Sequence, residues 1–163
     1  MLERCAKPAH TASRMPTTAN VIADAILVKM AKKGFLTSNL KLQKLLYYVQ
    51  GHHLHRVGSL AFADQIKAWS HGPVVPVVYH RFKKFSWHDI DEIPEQMPAI
   101  PSSTVAVIDF VLKRYGGCSG VELEDMTHAE PPWTMARKGL PVGATASPAI
   151  EAKWMRAHFS GCS

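Results

Sequence analysis

LKLQKLLYYVQGHHL, residues 40–54, is the stretch of the sequence that decides the fold. The three residues before it, TSN, can cap a helix N-terminus, and Gly58 after it can end the helix. Lys41 and Lys44 are predicted to point away from the apolar side. That side is formed by residues that recur at intervals of three and four, the period of an amphipathic helix: Leu42, Leu45, Leu46 and Val49.

Apolar residues with the same period predict further helices on both sides of this stretch. Together they predict a mainly α, single compact domain of about six helices. The other predicted helices cover residues 19–33, 76–85 and 104–115, a short segment opened by the capping box of Ser119 and Glu122 and stopped by Pro131 and Pro132, and a last segment opened by Ser147 and Pro148.

Two segments between the predicted helices lack a helical period. In residues 59–72, the alternation of Ile66, Ala68 and Trp69 predicts an extended segment, with room for one short β-hairpin. Residues 86–103 are rich in acidic residues and proline, and we predict a surface loop there with at most a short turn of helix.

Length and composition limit the class of protein. The chain has 163 residues, of which 47% are hydrophobic, which suits one domain with a core. Residues 1–15 are predicted to be a flexible N-terminal extension of a domain at 16–163. No apolar run approaches the roughly 18 residues of a membrane span, and the N-terminal stretch lacks the apolar segment of a secretory signal. We therefore expect a cytoplasmic protein with no membrane partner.

Cysteine and histidine spacing does not predict a metal site or a cofactor. Cys5, Cys118 and Cys162 are far apart in the sequence and are expected to be free thiols. The histidines at 52, 53 and 55, with His71 as a fourth candidate, attract attention because imidazole is a common metal ligand. On a helix, however, residues one and two apart point about 100° and 200° away from each other, so the first three cannot converge on one ion.

Catalytic motifs are absent from the sequence. It contains no G-x-S-x-G nucleophile elbow and no glycine-rich phosphate loop, since Gly72-Pro73 is not followed by Lys and Ser or Thr. The aromatic residues suggest binding instead. Tyr47 and Tyr48 are adjacent, which predicts that one of them faces away from the core, and exposed aromatic side chains often anchor protein partners. The alternative is that such rings fill gaps between helices.

Charge is divided unevenly along the chain. Residues 1–85 carry 13 Lys or Arg and 3 Asp or Glu, a net +10, whereas residues 86–163 carry 6 and 10, a net −4. The positive half could bind nucleic acid by displacing counterions from phosphates, or it could bind an acidic protein. A single patch would form if the helices that carry these cations pack together: Lys29, Lys32, Lys33, Lys41, Lys44, Arg81, Lys83 and Lys84.

Three ordered motifs resemble one known family. They are the KLQKLLY helix within residues 40–54, the A-W-S-H-G-P-V-V-P turn within residues 66–83, and the T-H and P-W pairs at Thr127-His128 and Pro132-Trp133. In this order they resemble the SocA-like Panacea antitoxin domain, and the resemblance covers about residues 19–159.

The resemblance implies a function that chemistry alone does not reveal. It implies a non-enzymatic antitoxin that binds and neutralises a cognate protein toxin, with the Clp protease as a candidate second partner to which the toxin is delivered. A nucleic-acid-binding regulator is the alternative. The resemblance assigns partner binding, or its support, to Lys41, Lys44, Tyr48, Trp69, His71, Gly72, Pro73, Tyr79, His128 and Trp133.

Overall fold

One long helix lies at the centre of the computed structural model, which describes residues 16–161. This helix, α2, spans Asn39–Arg56, and the Ser38 side chain caps it by accepting a hydrogen bond from the Lys41 amide. Every residue between positions 42 and 54 is buried, so α2 is enclosed on all sides and not along one stripe. The predicted extension at 1–15 lies outside the described residues.

Six more α-helices surround α2 in the described part of the chain. The helix α2 packs against four of the helices named below, α1, α4, α5 and α7, and more lightly against α3. The predicted mainly α class is confirmed. The helices are α1 (Ala19–Lys32), α3 (Pro76–Phe82), α4 (Ser102–Tyr115), α5 (Gly120–His128), α6 (Pro131–Ala136) and α7 (Ala152–Ser160), with a 3-10 turn at Lys83–Phe85 after α3.

Two antiparallel strand pairs complete the fold. The predicted hairpin is confirmed as β2 (Lys67–Trp69) paired with β3 (Gly72–Val74). The second pair joins β1 (Thr37–Ser38) to β4 (Asp89–Ile90). The prediction of a surface loop for residues 86–103 missed this pair. Ile90 is fully buried, and a strand of two residues is too short to show the alternation by which a strand is recognised.

Local sequence features mark the ends of several helices. The Thr18 hydroxyl accepts a hydrogen bond from the Val21 amide at the start of α1. The predicted capping box is present at the start of α5, where Ser119 and Glu122 bond to each other's backbone amides. Gly34 and Gly58 have positive φ just after α1 and α2, which only glycine adopts without strain.

One predicted helix start is wrong and one helix was not predicted, and proline is involved in both. Pro131 and Pro132 stop α5 but also begin α6, because proline fits the first turn of a helix, where no amide partner is needed. Ser147-Pro148 does not begin α7. The Pro148 carbonyl instead accepts a hydrogen bond from the Ala68 amide, at 2.8 Å, so this segment runs beside β2.

The expectation that Tyr47 or Tyr48 faces solvent is wrong. Both side chains are buried, since helices lie on every side of α2. The Tyr48 ring stacks on Tyr115 of α4 with 4.0 Å between ring centroids, and Tyr47 meets Phe159 of α7 edge to face at 5.5 Å. The adjacent tyrosines therefore attach α2 to two different helices.

Close approach of α7 to α2 requires glycine at position 51. A Cβ atom there would overlap the Phe159 ring. We predict that Gly51→Ala lowers the free energy of unfolding by about 1 to 3 kcal/mol through overpacking, even though alanine favours a helix by about 1 kcal/mol. Gly117→Ala is the matched control, because a Cβ there meets no atom within 4 Å. Chemical denaturation measures both, and an equally stable Gly51→Ala protein would contradict this packing.

Candidate functional site

Side chains from outside the hairpin donate to its carbonyl groups. They come from α2, from α5 and from α6 with its C-terminal cap, and we call them the hairpin clamp. Because four carbonyl groups of the hairpin each accept a hydrogen bond from one of these side chains, the clamp fixes the path of the hairpin backbone. The bonds are Arg137 Nη1 to Ala68 O (2.8 Å), Trp133 Nε1 to Trp69 O (2.8 Å), His128 Nε2 to Ser70 O (3.0 Å) and Lys44 Nζ to Pro73 O (3.1 Å).

Lys44 is the most constrained member of the clamp. Its side chain is fully buried, so the prediction that it points away from the apolar side of α2 is wrong. The reason is that β3 covers the side of α2 on which it lies. Burial lowers the pKa of Lys44 to about 7, and the nearby Glu124 carboxylate only partly opposes this shift.

Gly72 and Pro73 both contact the Lys44 side chain. Gly72 has a φ of +101°, and a Cβ atom on it would lie 2.8 Å from Lys44 Cε and 2.9 Å from Thr127 Oγ1. Pro73 lies opposite Ala68 in the strand pair, and its carbonyl accepts the hydrogen bond from Lys44 Nζ. A proline has no amide to donate, so it is tolerated at this edge of the sheet.

The tip of the hairpin is exposed. The His71 side chain is 81% exposed, and its Nδ1 lies 2.9 Å from Glu124 Oε1 of α5. Such a surface pair contributes little to stability, about 0 to 1 kcal/mol. It does connect the tip to α5, and it leaves most of the imidazole free to contact a partner.

Aromatic rings extend this exposed region towards α3. Trp69 meets Tyr79 edge to face at 4.9 Å, and the exposed His80 lies 5.5 Å from Tyr79. The indole Nε1 of Trp69 donates to Ser147 Oγ at 2.7 Å, which fixes the ring. We call Trp69, His71 and Tyr79 the hairpin face.

Most of the predicted site residues meet at this hairpin. The clamp contains Lys44, His128 and Trp133, the hairpin itself contains Gly72 and Pro73, and the hairpin face contains the other three that meet here: Trp69, His71 and Tyr79.

Lys41 and Tyr48 are not part of this group. Lys41 Nζ donates to the Gly116 carbonyl at 2.6 Å, at the end of α4, and burial lowers its pKa. Tyr48 lies in the core, where its hydroxyl donates to Glu130 Oε2 at 2.8 Å. If either residue contributes to binding, it does so by supporting the scaffold.

Glu130 was missed by sequence analysis. Its second oxygen accepts a hydrogen bond from the Tyr47 hydroxyl at 2.9 Å. Burial raises the pKa of Glu130, while the two tyrosine hydrogen bonds act in the opposite direction. Burial and the carboxylate together raise the pKa of both tyrosines. No short sequence pattern links these positions, since 82 residues separate Tyr48 from Glu130.

Arg137 was also missed. It is buried, and its guanidinium donates to three carbonyls, those of Ala68, Ala144 and Ala146. An arginine after a short helix is ordinarily read as a surface residue. Its spacing four residues after Trp133 was the available signal, because residues four apart lie on one face of a helix.

The histidines of α2 have structural partners. His53 Nδ1 lies 2.6 Å from the Ser59 carbonyl and must donate to it, so Nε2 accepts from the Thr104 hydroxyl at 3.0 Å. His52 Nε2 bonds the Tyr115 hydroxyl at 2.9 Å, and burial lowers the His52 pKa to about 4. Among residues 16–161, no three His, Cys, Asp or Glu side chains are arranged to hold a metal ion.

The predicted cations do not form one free patch. Lys44 is buried, and three others have acidic partners: Lys29 pairs with Asp109 at 2.6 Å, Arg81 with Asp24 at 2.7 Å and Lys84 with Glu92 at 2.7 Å. Two of these acids, Asp109 and Glu92, belong to the negative half of the sequence. The surface available to a nucleic-acid phosphate backbone is therefore smaller than the charge count suggests.

Sequence comparison connects this geometry to known proteins. The sequence profile described as "Antitoxin SocA-like, Panacea domain" matches residues 42–134, more than half of the chain. The chain belongs to the SocA-like Panacea domain family. The matched range includes α2, the hairpin, α5 and the start of α6, and so it holds three of the four clamp residues.

A curated relative within this family is similar over part of the chain. Antitoxin SocA of Caulobacter vibrioides (strain NA1000 / CB15N) is 39% identical over 75 residues, which are 46% of this chain and 40% of SocA. The similarity thus spans less than half the length of that relative. No solved structure matches significantly. No helix of the Panacea chain within residues 16–161 is long and apolar enough to cross a membrane.

Lys44 should make the stability of this Panacea domain depend on pH. Between pH 7 and 10.5 the unfolded chain holds a proton on Lys44 that the folded chain has lost, so the free energy of unfolding rises with pH. From pH 7 to 9 we predict a rise of about 2 kcal/mol from this residue.

The variant Lys44→Met tests this prediction by urea denaturation at both pH values. It keeps the length of the side chain and removes the titrating group, so its rise from pH 7 to 9 should be smaller than that of wild type by about 2 kcal/mol. Lys41, whose pKa is also lowered, gives a slope of the same sign in both proteins. Equal slopes in the two proteins would show that Lys44 keeps its ordinary pKa.

Proposed function

We propose that this chain is an antitoxin that binds and neutralises a protein toxin through the hairpin face. Membership of the SocA-like Panacea family and the name of the relative SocA support the antitoxin role. The observation that carries the choice of surface is the hairpin clamp. Its donors Lys44, His128 and Trp133 lie in the matched range and hold a hairpin whose tip is open to solvent.

A clamped hairpin suits recognition of another protein. Fixing the backbone before binding reduces the conformational entropy that association would otherwise remove. Trp and Tyr side chains are frequent anchors in protein interfaces because they bury a large area with few rotatable bonds. Trp69 and Tyr79 are half-buried and held against each other, so their exposed parts are already positioned.

The same geometry favours binding over catalysis. The acid with a raised pKa, Glu130, accepts hydrogen bonds from two buried tyrosines, and the lysine with a lowered pKa lies under the hairpin. Neither Lys44 nor Glu130 lines the cavity beside Thr104 or the cavity beside Met155. We therefore propose a non-enzymatic antitoxin.

Delivery of the toxin to the Clp protease is the finer form of this proposal. The family resemblance motivates it, and it makes a kinetic prediction that simple inhibition does not. If the chain is an adaptor, its presence shortens the half-life of the toxin in cells that contain the protease. Pulse-chase measurement in matched cells with and without the protease tests this step, and an unchanged half-life would leave inhibition by binding alone.

The binding proposal is tested by co-expression with the product of the neighbouring gene. Wild type should form a stable complex with that protein and restore growth. Tyr79→Ala and His71→Ala should each weaken the complex by about tenfold or more, as expected for anchor residues near the centre of an interface.

Val142→Ala is the matched control, because Val142 is fully exposed in the loop before α7. It should bind like wild type, and thermal denaturation should show that all three variants are folded. The proposal fails if wild type gives neither a complex nor rescue. The choice of the hairpin face fails if the two hairpin variants bind as tightly as the control.

A further inference from the structure

Two helices beside the hairpin tip expose large apolar side chains to solvent. On α5, Val121 is 59% exposed and Met126 is 38% exposed, and on α6 Met135 is 48% exposed. Single exposed apolar residues are ordinary, whereas exposed apolar residues that lie next to one another mark interaction surfaces. Only Ala129 and Glu130 separate the two helices in the chain.

Helix geometry places these apolar residues beside two acids. Leu123 and Thr127 are the buried residues of α5, so the opposite side of the helix faces outward. There Val121 lies one turn from Asp125, and Glu122 lies one turn from Met126. All four side chains are exposed. We call these four residues the α5 face.

The charge of this region is opposite to that of the protein. Between Arg114 and Arg137 the sequence has no Lys or Arg, and it has four acidic residues: Glu122, Glu124, Asp125 and Glu130. The whole chain carries a net charge of +6. Glu130 is buried against its tyrosines, Glu124 pairs with His71, and one oxygen of Glu122 accepts from the Ser119 amide, which leaves Asp125 and the other oxygen of the exposed Glu122 side chain.

We propose that the α5 face binds a cationic, amphipathic segment of the toxin, adjacent to the hairpin face. This inference rests on the proposed function and names the chemistry of the partner. Apolar side chains of the segment would contact Val121 and Met126, and its Lys or Arg side chains would lie beside Glu122 and Asp125. The His71–Glu124 pair makes the hairpin tip and α5 one continuous surface.

Electrostatics also fixes the orientation of such a partner. A cationic segment is attracted to the exposed acids of the α5 face, and charge complementarity of this kind favours one orientation of a bound segment. Methionine side chains are flexible and polarisable, and they adapt to partners of different shape. Met126 can therefore contact apolar groups without a preformed pocket.

The experiment measures binding of two probes by isothermal titration calorimetry and light scattering. The first probe is the neighbouring gene product, and the second is a helical peptide of about 18 residues with leucine on one side and lysine on the other. The variants are Asp125→Lys and the double change Val121→Ser with Met126→Ser. Glu95→Lys is the matched control, because Glu95 is an exposed acid in the loop before α4.

We expect both α5 variants to bind both probes about tenfold or more weakly, with the control within about twofold of wild type. Binding of the peptide should also weaken as salt rises. The inference is overturned if the peptide binds wild type and the α5 variants equally, or does not bind wild type at all. It is also overturned if light scattering shows self-association that Asp125→Lys abolishes, since the occupant is then a second copy.

The neighbouring gene product separates this inference from the proposed function. If wild type and the α5 variants bind it equally while the hairpin variants do not, the toxin does not use the α5 face and the proposed function stands. If wild type does not bind it, the proposed function fails and the toxin is excluded as the occupant, whatever the peptide does.

Discussion

The complete burial of α2 is the constraint on which the rest of the structure depends. A helix that is enclosed on all sides needs hydrogen-bond partners inside the protein for its polar side chains, because an unpaired buried polar group costs about 1 to 3 kcal/mol. Gln50 bonds both the Ala61 amide and the Phe62 carbonyl, and Gln43 accepts from the Val75 amide. With Lys44 and His53, these side chains attach the loop after α2, the C-terminal end of the hairpin and the start of α4 to α2.

The family motifs acquire a physical meaning from this arrangement. The second lysine of the KLQKLLY helix, the histidine of the T-H pair and the tryptophan of the P-W pair do not form the exposed surface themselves. Lys44, His128 and Trp133 donate to the backbone of the hairpin, and Gly72 leaves room for the lysine. These donors bond only to backbone carbonyl groups, so they do not restrict which side chains the hairpin can carry. Under the proposed function, Trp69 and His71 would determine what the surface binds, while the clamp holds the backbone of the hairpin.

Helix caps and stops could be predicted from the sequence, whereas the burial of α2 on all sides could not. The capping box of Ser119 and Glu122 and the glycine at position 58 depend on residues within one turn, and the structure confirms them. Lys44 and the tyrosine pair were placed wrongly because the pattern of α2 shows one apolar stripe, and nothing in it reports that helices cover the other sides. The clustering at the hairpin followed from the family motifs, not from periodicity. Glu130 depends on contacts between residues far apart in the chain, for which a single sequence has no signal, and the spacing of Arg137 from Trp133 does not reveal which carbonyl groups it bonds.

The central claim is that side-chain donors hold the hairpin in one conformation. Amide hydrogen exchange in wild type and in Trp133→Phe tests it most directly, because phenylalanine keeps an aromatic ring and removes the Nε1 donor to the Trp69 carbonyl. The account predicts that amides of the hairpin, residues 67–74, exchange about tenfold faster or more in the variant, as expected when a bond worth about 1 to 1.5 kcal/mol is lost. Amides of α1, which the clamp does not touch, should exchange as in wild type. Unchanged protection of residues 67–74 would contradict the account, since the hairpin would then hold its shape without the clamp.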